Sequence, residues 1–448
     1  MVLRIVHVSD IHFHKDAYGW DANLDQRAEL VRDLAAQVAA GGPVDAVLVG
    51  GDIAFSGHQD EYKTAEDWLT SVVGVCGGIG MDRVWTVPGN HDVARDVLKA
   101  CMPAQAFREQ LRSLPHATAV DEYLRERLTA DPTAESFFEP LRAYNEFARP
   151  YMCHSEPAAP HWVEDSTLFL DGQPVHITGL NSSMNSDSND SDYRDPDGNR
   201  HLVLGTLQCQ LSRENNPVHI VIAHHPPNWI RDWTIVEPYL RRGHVWIFGH
   251  EHTYRSSQDV EAGSIQLSGG AVGPERDAGG EKDPYVPAYL LLTLSFNDAG
   301  DLHVHVEPRY WSMAETRFVE HPGGSEDFIV GRTPAVATTA HAGPSAPASA
   351  SASPEPPVIS AASASPIPDG SAAPAEPGPP SATDINLREL ARRFGALPPT
   401  KRLSIGLDLG VLGETDLDAG APKDLDRLIL SRVGQRGLVE QLQTKVTT

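Results

Sequence analysis

Five apolar runs in this chain end in the same way. IVHVSDIH stops on Asp10 and His12, AVLVGGD on Gly50, Gly51 and Asp52, VWTVPGNHD on Gly89, Asn90, His91 and Asp92, VIAHHPP on His224 and His225, and VWIFGHEH on Gly249, His250 and His252. Short apolar runs closed by turn residues read as buried strands. In an open α/β sheet, ligands bind at the carboxyl ends of the strands. Five termini that deliver Asp, His, Asp, Asn, His, His and His therefore call for a fold that lets those ends converge.

Each of these side chains is a good donor to a divalent ion. Imidazole and carboxylate suit Mn, Fe, Zn or Ni, and the Asn carbonyl adds a hard neutral oxygen. Seven such groups exceed the needs of one ion. With one carboxylate and a hydroxide bridging, they fill two octahedral or near-octahedral sites. Two ions roughly 3.5–4 Å apart polarise a phosphoryl oxygen, generate hydroxide at neutral pH and stabilise an in-line displacement. The glycines before Asp52, Asn90 and His250 let the backbone turn tightly beside such ions.

DIH, GD, GNHD, HH and GHEH, in this order, resemble the calcineurin-like metallophosphoesterase superfamily over most of residues 1–320. The resemblance implies that Asp10, His12, Asp52 and His252 hold one metal and that Asp52, Asn90, His224 and His250 hold the other, with Asp52 bridging. It also implies that His91 faces the substrate as general acid or transition-state stabiliser, with Asp92 orienting and charging the imidazole. A pair of divalent ions, with Mn first and Fe, Zn or Ni as alternatives, follows as cofactor. His225 reads as a donor behind the ligands, His14 as solvent-exposed or structural, and His7 as core.

Around these blocks, strands are expected at Leu3 to Val8, Ala46 to Val49, Arg83 to Val87, Val175 to Thr178, His219 to Ile222 and Val245 to Phe248, with a helix at Arg27 to Ala40. The fold class is α/β, a layered metallophosphoesterase sandwich. Residues 93–151 have helical spacing and read as an insertion covering the sheet's active edge. A first domain at 1–332 is followed by an Ala/Ser/Pro-rich flexible linker at 333–383, whose composition cannot bury enough to order itself. Residues 384–448 carry Leu387, Leu390, Phe394, Leu403, Leu407, Leu412, Leu425, Leu428, Ile429, Val433, Leu438, Leu442 and Val446 at helical spacing, a small all-α bundle.

That tail, with LRELARRFGALPPTKRLSIGLDLGVL and RGLVEQL, resembles the effector-associated, death-fold-like adaptor domains of bacterial immune and signalling proteins. The resemblance implies docking onto a like domain in a sensor protein, an NTPase or a protease. Self-association or a stability module is the plainer reading.

The metallophosphoesterase resemblance implies a phosphoester substrate. GHEH and the LNSS stretch are most similar to the cyclic-nucleotide-phosphodiesterase-like branch, which points to a diester of a nucleotide or nucleic acid. A phosphomonoesterase or protein phosphatase, or a recruitment module with a sensing phosphoesterase domain, stays open. Asn181 and Arg231 are candidate substrate contacts, and Trp229 and Trp233 either stack a base or pack in the core. The acid-rich NSDSNDSDYRDPDGN lacks the spacing of a calcium loop and reads as solvated. A net charge of −25 disfavours a general polyanion-binding surface. Four cysteines in no metal-knuckle spacing, no signal-like N-terminus and no apolar span lead to a cytoplasmic, non-membrane expectation.

Overall fold

The computed structural model describes residues 2–331 apart from 15–18, 20, 188–189, 191–193, 195–197, 199 and 274–285, together with parts of 390–447. The expected linker lies outside the described residues, as do Leu387, Leu425 and Leu428 of the tail.

Among the described residues, fourteen strands form two mixed sheets. In chain order they are β1 (Leu3–Val8), β2 (Ala46–Val49), β3 (Val84–Thr86), β4 (Trp162–Glu164), β5 (Phe169–Leu170), β6 (Gln173–Gly179), β7 (Val218–Ala223), β8 (Val245–Phe248), β9 (Tyr254–Asp259), β10 (Ser264–Gly269), β11 (Ala288–Phe296), β12 (Leu302–Ser312), β13 (Arg317–Glu320) and β14 (Glu326–Val330). The first sheet runs β13-β12-β11-β1-β2-β3 with β14 on β12, and the second β4-β6-β7-β8-β10-β9 with β5 on β6. Pairing is parallel along β1-β2-β3 and along β6-β7-β8-β10. The strands bearing the sequence blocks therefore all present carboxyl ends. β4, β5 and β9 to β14 are the strands the sequence reading does not name. They pair antiparallel with their neighbours except for β10 on β8, and β9 in particular is half-buried or exposed, so its hydrophobic signal is thin.

Alternation along the strands builds the layers. In β7, Val218, Ile220 and Ile222 enter one apolar cluster while Val221 and Ala223 enter another. In β8, Val245 and Ile247 oppose Trp246 and Phe248 in the same way. The first cluster also takes in Ile5, Val6 and Leu291 of the first sheet, so both sheets share one core. Each fully buried aliphatic side chain there contributes about 1.5–3 kcal/mol.

Helices α1 (Leu24–Gly41) and α2 (Gln59–Val75) bring Leu30, Leu34, Leu69 and Val72 into that core. Buried Arg27 of α1 donates to Ile11 O, pairs with Asp21 and lies over the Phe13 ring, which clamps the loop after β1. The expected insertion is present as α3 (Arg95–Ala100), α4 (Met102–Ser113), α5 (Ala117–Ala130) and α6 (Arg142–Ala148), with a 3₁₀ helix between α5 and α6. It packs at the β3 edge: Tyr144 Oη shares a hydrogen bond with Thr86 Oγ1, and Ala94 N donates to Pro140 O just after the GNHD turn. A last helix of this region, α7 (Trp233–Leu240), covers the outer face of β7 and β8. In the tail, helices Pro399–Asp408 and Val439–Thr447 are described, with Ile405 and Leu442 buried.

Candidate metal centre

The loops that leave β1, β2, β3, β7 and β8 meet at one place. Asp10, His12, Asp52, Asn90 and His224 are all buried, and His250 and His252 are partly so. Backbone hydrogen bonds tie the first two loops together, from Asp10 N to Gly51 O and from Ile11 N and His12 N to Asp52 O. Asp10, His12, Asp52, His250 and His252 all take positive φ, at 52°, 51°, 50°, 68° and 53°. Non-glycine residues rarely adopt that region, and the strain persists only where surrounding structure over-determines it.

The glycines before the ligand candidates are there for close approach. A Cβ on Gly89 would stand 2.1 Å from Asp52 Oδ1, and one on Gly249 would stand 2.1 Å from Ser9 Oγ. Either side chain would push the loops apart.

Donor atoms converge across both sheets. Asp52 Oδ2 lies 3.3 Å from His12 Nε2 and 3.2 Å from His224 Nε2. Asp10 Oδ1 lies 3.2 Å from His252 Nε2, and Asn90 Oδ1 lies 3.1 Å from His224 Nε2 and 3.0 Å from His250 Nδ1. Asp10, His12 and His252 form one group with ligand atoms mutually within 4.8 Å, Asp10, Asp52 and His224 a second, and His224, His225 and His250 a third.

The tautomers follow from the carbonyls behind the rings. His12 Nδ1 is 2.9 Å from Gly273 O and His224 Nδ1 is 2.8 Å from Gly50 O. A carbonyl only accepts, so Nδ1 carries a proton and Nε2 is the nitrogen that faces the Asp52 carboxylate. That approach is stable with a proton on Nε2, or with a metal ion in the place of that proton. The charges agree. Burial pushes Asp10 up, but His224 and His252 outweigh it and hold the carboxyl at about 2. Burial likewise opposes ionisation of Asp52, which His224, His91 and His12 still hold well below the usual carboxylate range. Against burial, the Asp52 contact raises both His12 and His224 to about 9. Two buried anions ringed by imidazole lone pairs draw protons, and the same donor set suits two divalent cations.

The family model for calcineurin-like phosphoesterases matches residues 3–254. The chain belongs to that family. Its clustered Asp and His donors form a binuclear type of metal site. A relative, the uncharacterized metallophosphoesterase-like protein YydB of Bacillus subtilis, is 20% identical over 327 residues, covering 70% of this chain and 62% of its own length. This calcineurin-like chain thus spans less than two thirds of that relative. Solved structures similar to it include the purple acid phosphatase of yellow lupin (12% identity, TM-score 0.39, covering 73% of this chain and 53% of that one). Others are Vps29 of Chaetomium thermophilum (11%, 0.31, covering 74% and 100%) and the sulfate thiohydrolase SoxB of Thermus thermophilus (11%, 0.29, covering 73% and 56%).

Of the further site candidates, His91 stands beside the calcineurin-like centre. Its ring is 4.7 Å from that of His12, and its backbone N–H donates to Asp52 Oδ1 at 2.7 Å. The expected orientation of His91 by Asp92 is corrected. His91 Nδ1 instead meets Phe55 O at 2.8 Å, while the Asp92 carboxylate accepts from the backbone N–H groups of Ile53, Ala54 and Gly89 and from Tyr62 Oη. In the turn after β3, Asp92 faces inward and pins the Asp52 loop to the Asn90 loop. Burial, then Asp52, raises its pKa to about 6.

The two expected substrate contacts are likewise otherwise engaged. Asn181 is buried, with its side chain bonded to Ser155 Oγ and Ser183 N. Arg231 directs its guanidinium at Leu111 O and Leu114 O, tying down the end of α4. Trp233 packs on Trp246 in the outer core, but the Trp229 ring stands edge-on to His250 at 4.0 Å. His225 Nδ1 is hydrogen-bonded to Ser182 Oγ at 2.9 Å, and a nitrogen of its ring lies within 4.8 Å of the His224 and His250 ligand atoms. His7 is fully buried and His14 exposed. Tyr62 and the carbonyls of Gly50, Phe55 and Gly273 went unread in the sequence. Backbone acceptors leave no residue-type signature, and Tyr62 looks like any apolar position of an amphipathic helix.

Among the described residues, no helix is long and apolar enough to cross a membrane.

Proposed function

We propose that this chain is a binuclear metal-dependent phosphodiesterase acting on a nucleotide or nucleic-acid diester. Asp10, His12, Asp52 and His252 hold one ion and Asp52, Asn90, His224 and His250 the other, with Mn as the working metal. The observation that carries this reading is the single Asp52 carboxylate, one oxygen of which faces imidazole nitrogens from both sheets, His12 and His224. When bound, the ions supply Lewis acidity toward the phosphoryl oxygens and lower the pKa of bound water.

The chain supplies the rest. Nδ1–H bonds to Gly273 O and Gly50 O fix the ligand rings, and the turn held by Asp92 sets Asn90 and His91 side by side. His91, with Nδ1 held on Phe55 O, presents Nε2 to the leaving oxygen and gives it a proton or a hydrogen bond.

Residues 1–332 form the catalytic domain, 333–383 a flexible tether and 384–448 a helical adaptor for a signalling or defence partner bearing a like domain. Support for the last is the close helix packing of the tail: a Cβ on Gly406 would stand 2.8 Å from Leu412 Cδ1 and 2.9 Å from Ile429 Cδ1. The cytoplasm is the proposed compartment.

The test is hydrolysis of bis-p-nitrophenyl phosphate against p-nitrophenyl phosphate with added manganese, beside the Asp52→Asn variant. Faster diester turnover that vanishes in the variant supports the reading. Monoester preference makes the protein a phosphomonoesterase, and metal-loaded protein inert on both would favour a sensing or recruitment role.

A further inference from the structure

Arg200 immediately follows the acid-rich stretch that reads as a solvated loop, yet its surroundings are built. Its guanidinium lies over the Trp229 ring, 3.3 Å from the centroid, and the Trp229 ring stands 4.0 Å from that of His250. One indole thus separates a fixed cation from the proposed metal ligands.

Described residues before and after Arg200 are tied down. Arg200 Nη1 donates to Asp190 O at 3.3 Å, and the Asp190 carboxylate in turn accepts from Ser186 Oγ and from Asp187 N and pairs with His201 Nε2 at 2.8 Å. The buried Asn185 side chain donates to His201 O and accepts from Val203 N, and Leu202 bridges to Ile230 beside Trp229. Asp187, Asp190 and His201 form a cluster with the donor types of a metal site, but within this arrangement they act as a strut under Arg200.

A guanidinium stacked on indole loses part of its hydration and little further entropy when it binds, and its edge matches the oxygens of a phosphate. In a chain of net charge −25, this cation stands beside the metal centre with Arg194, Asp190 and Glu251 in electrostatic reach. Because the guanidinium covers one Trp229 face, the pair is better suited to hold an anion than to stack a base. The spacing of a whole indole ring from His250 sets that anion apart from the scissile phosphate.

We infer that Arg200, laid on Trp229, grips a second phosphate of the substrate, so that the preferred diesters carry a further phosphate beyond the one that is cleaved. This rests on the phosphodiesterase reading of the same site.

The test compares thymidine 5′-(p-nitrophenyl phosphate) with its 3′-phosphorylated counterpart, using the full chain with manganese. The 3′-phosphate should raise kcat/KM by about tenfold or more, the value of a charge-assisted phosphate contact. Arg200→Met should bring that ratio close to one, with Arg200→Lys between. Equal ratios in the parent and Arg200→Met overturn the proposal. So does loss of both substrates in Arg200→Met with metal content retained, which would place Arg200 at the reacting phosphate. If the parent protein turns over neither substrate, the phosphodiesterase reading fails separately. Calorimetry with thymidine 3′,5′-bisphosphate and thymidine 5′-monophosphate then decides the grip. Tighter bisphosphate binding that Arg200→Met abolishes upholds it, and equal affinities overturn it.

Discussion

The two sheets bring different things to the centre. The first supplies both carboxylates, Asp10 and Asp52, with His12 and Asn90, whereas the second supplies only imidazoles, His224, His250 and His252. They are also held differently. Loops of the first sheet fasten to one another, through His12 N to Asp52 O and through the Asp92 carboxylate. The imidazoles of the second sheet are steered by atoms of the first: His224 by Gly50 O, His250 N by the Asp10 carboxylate, and Gly249 by its approach to Ser9. Charge is fixed on one side and neutral donors are oriented from across the gap. A divalent ion at this place therefore depends on the sandwich being closed, and each sheet alone would be a poor chelator.

That division of labour can be broken in graded ways. Asp52→Asn, which removes the carboxylate oxygen lying 3.3 Å from His12 and 3.2 Å from His224, should lower turnover of bis-p-nitrophenyl phosphate by about a thousandfold or more. Bound metal by elemental analysis should fall below two ions per chain, and an undiminished metal count would break the bridging assignment. His91→Ala tests a residue next to the ligands that donates none of the ligand atoms proposed here. Turnover should drop about 10²- to 10⁴-fold with metal content nearly unchanged, and emptied sites would make His91 a ligand.

Asp92→Ala leaves the N–H groups of Ile53, Ala54 and Gly89 without their acceptor, at about 1–3 kcal/mol each if they stay dry. A lowered thermal midpoint together with weakened metal affinity in titration would show that the pin on the first sheet's loops matters to both. Tyr62→Phe removes one bond to the same carboxylate and should cost about 1 kcal/mol in urea unfolding.

The smallest effect lies on the first sheet away from the centre, where His303 and His305 both meet Asp327 Oδ1 at 2.9 Å. Burial lowers the His305 pKa, but Asp327 more than offsets it and the net shift is upward, while the His305 hydrogen bond holds Asp327 down. A raised histidine stabilises below its unfolded value of 6.5 and loses this as pH rises through its folded value. A depressed carboxyl stabilises above 3.8 and loses this as pH falls. The pair thus contributes most between these limits, less than about 0.5 kcal/mol at so exposed a site. His305→Ala should flatten the pH profile of the thermal midpoint there without moving metal affinity.

How much of this was legible in the sequence depended on the kind of information. Strand ends such as GGD and GNHD announce themselves, because apolar run, glycine and polar donor form a local pattern. The insertion at 93–151 was readable from helical spacing, as were α1 and most parallel strands, whose continuous apolar runs come from burial on both faces. β9 was not, since its partly exposed residues dilute the signal. Asn181 and Arg231 had suitable chemistry and a suitable address, yet the fold used them for a loop and a helix end. Arg200, more than twenty residues before His224, offered no motif at all.

The sequence by itself determined which donors this protein has and that they sit at the ends of buried strands, because residue type and hydrophobic period are local properties of the chain. Only the tertiary structure decided that Asp92 turns to Ile53, Ala54 and Gly89 while His91 rests on Phe55 O, that Asp52 faces both sheets, and that Arg200 lies on Trp229. Those facts are distances between segments far apart in sequence. They are fixed by the shared core that closes the two sheets, and no short stretch of residues encodes them.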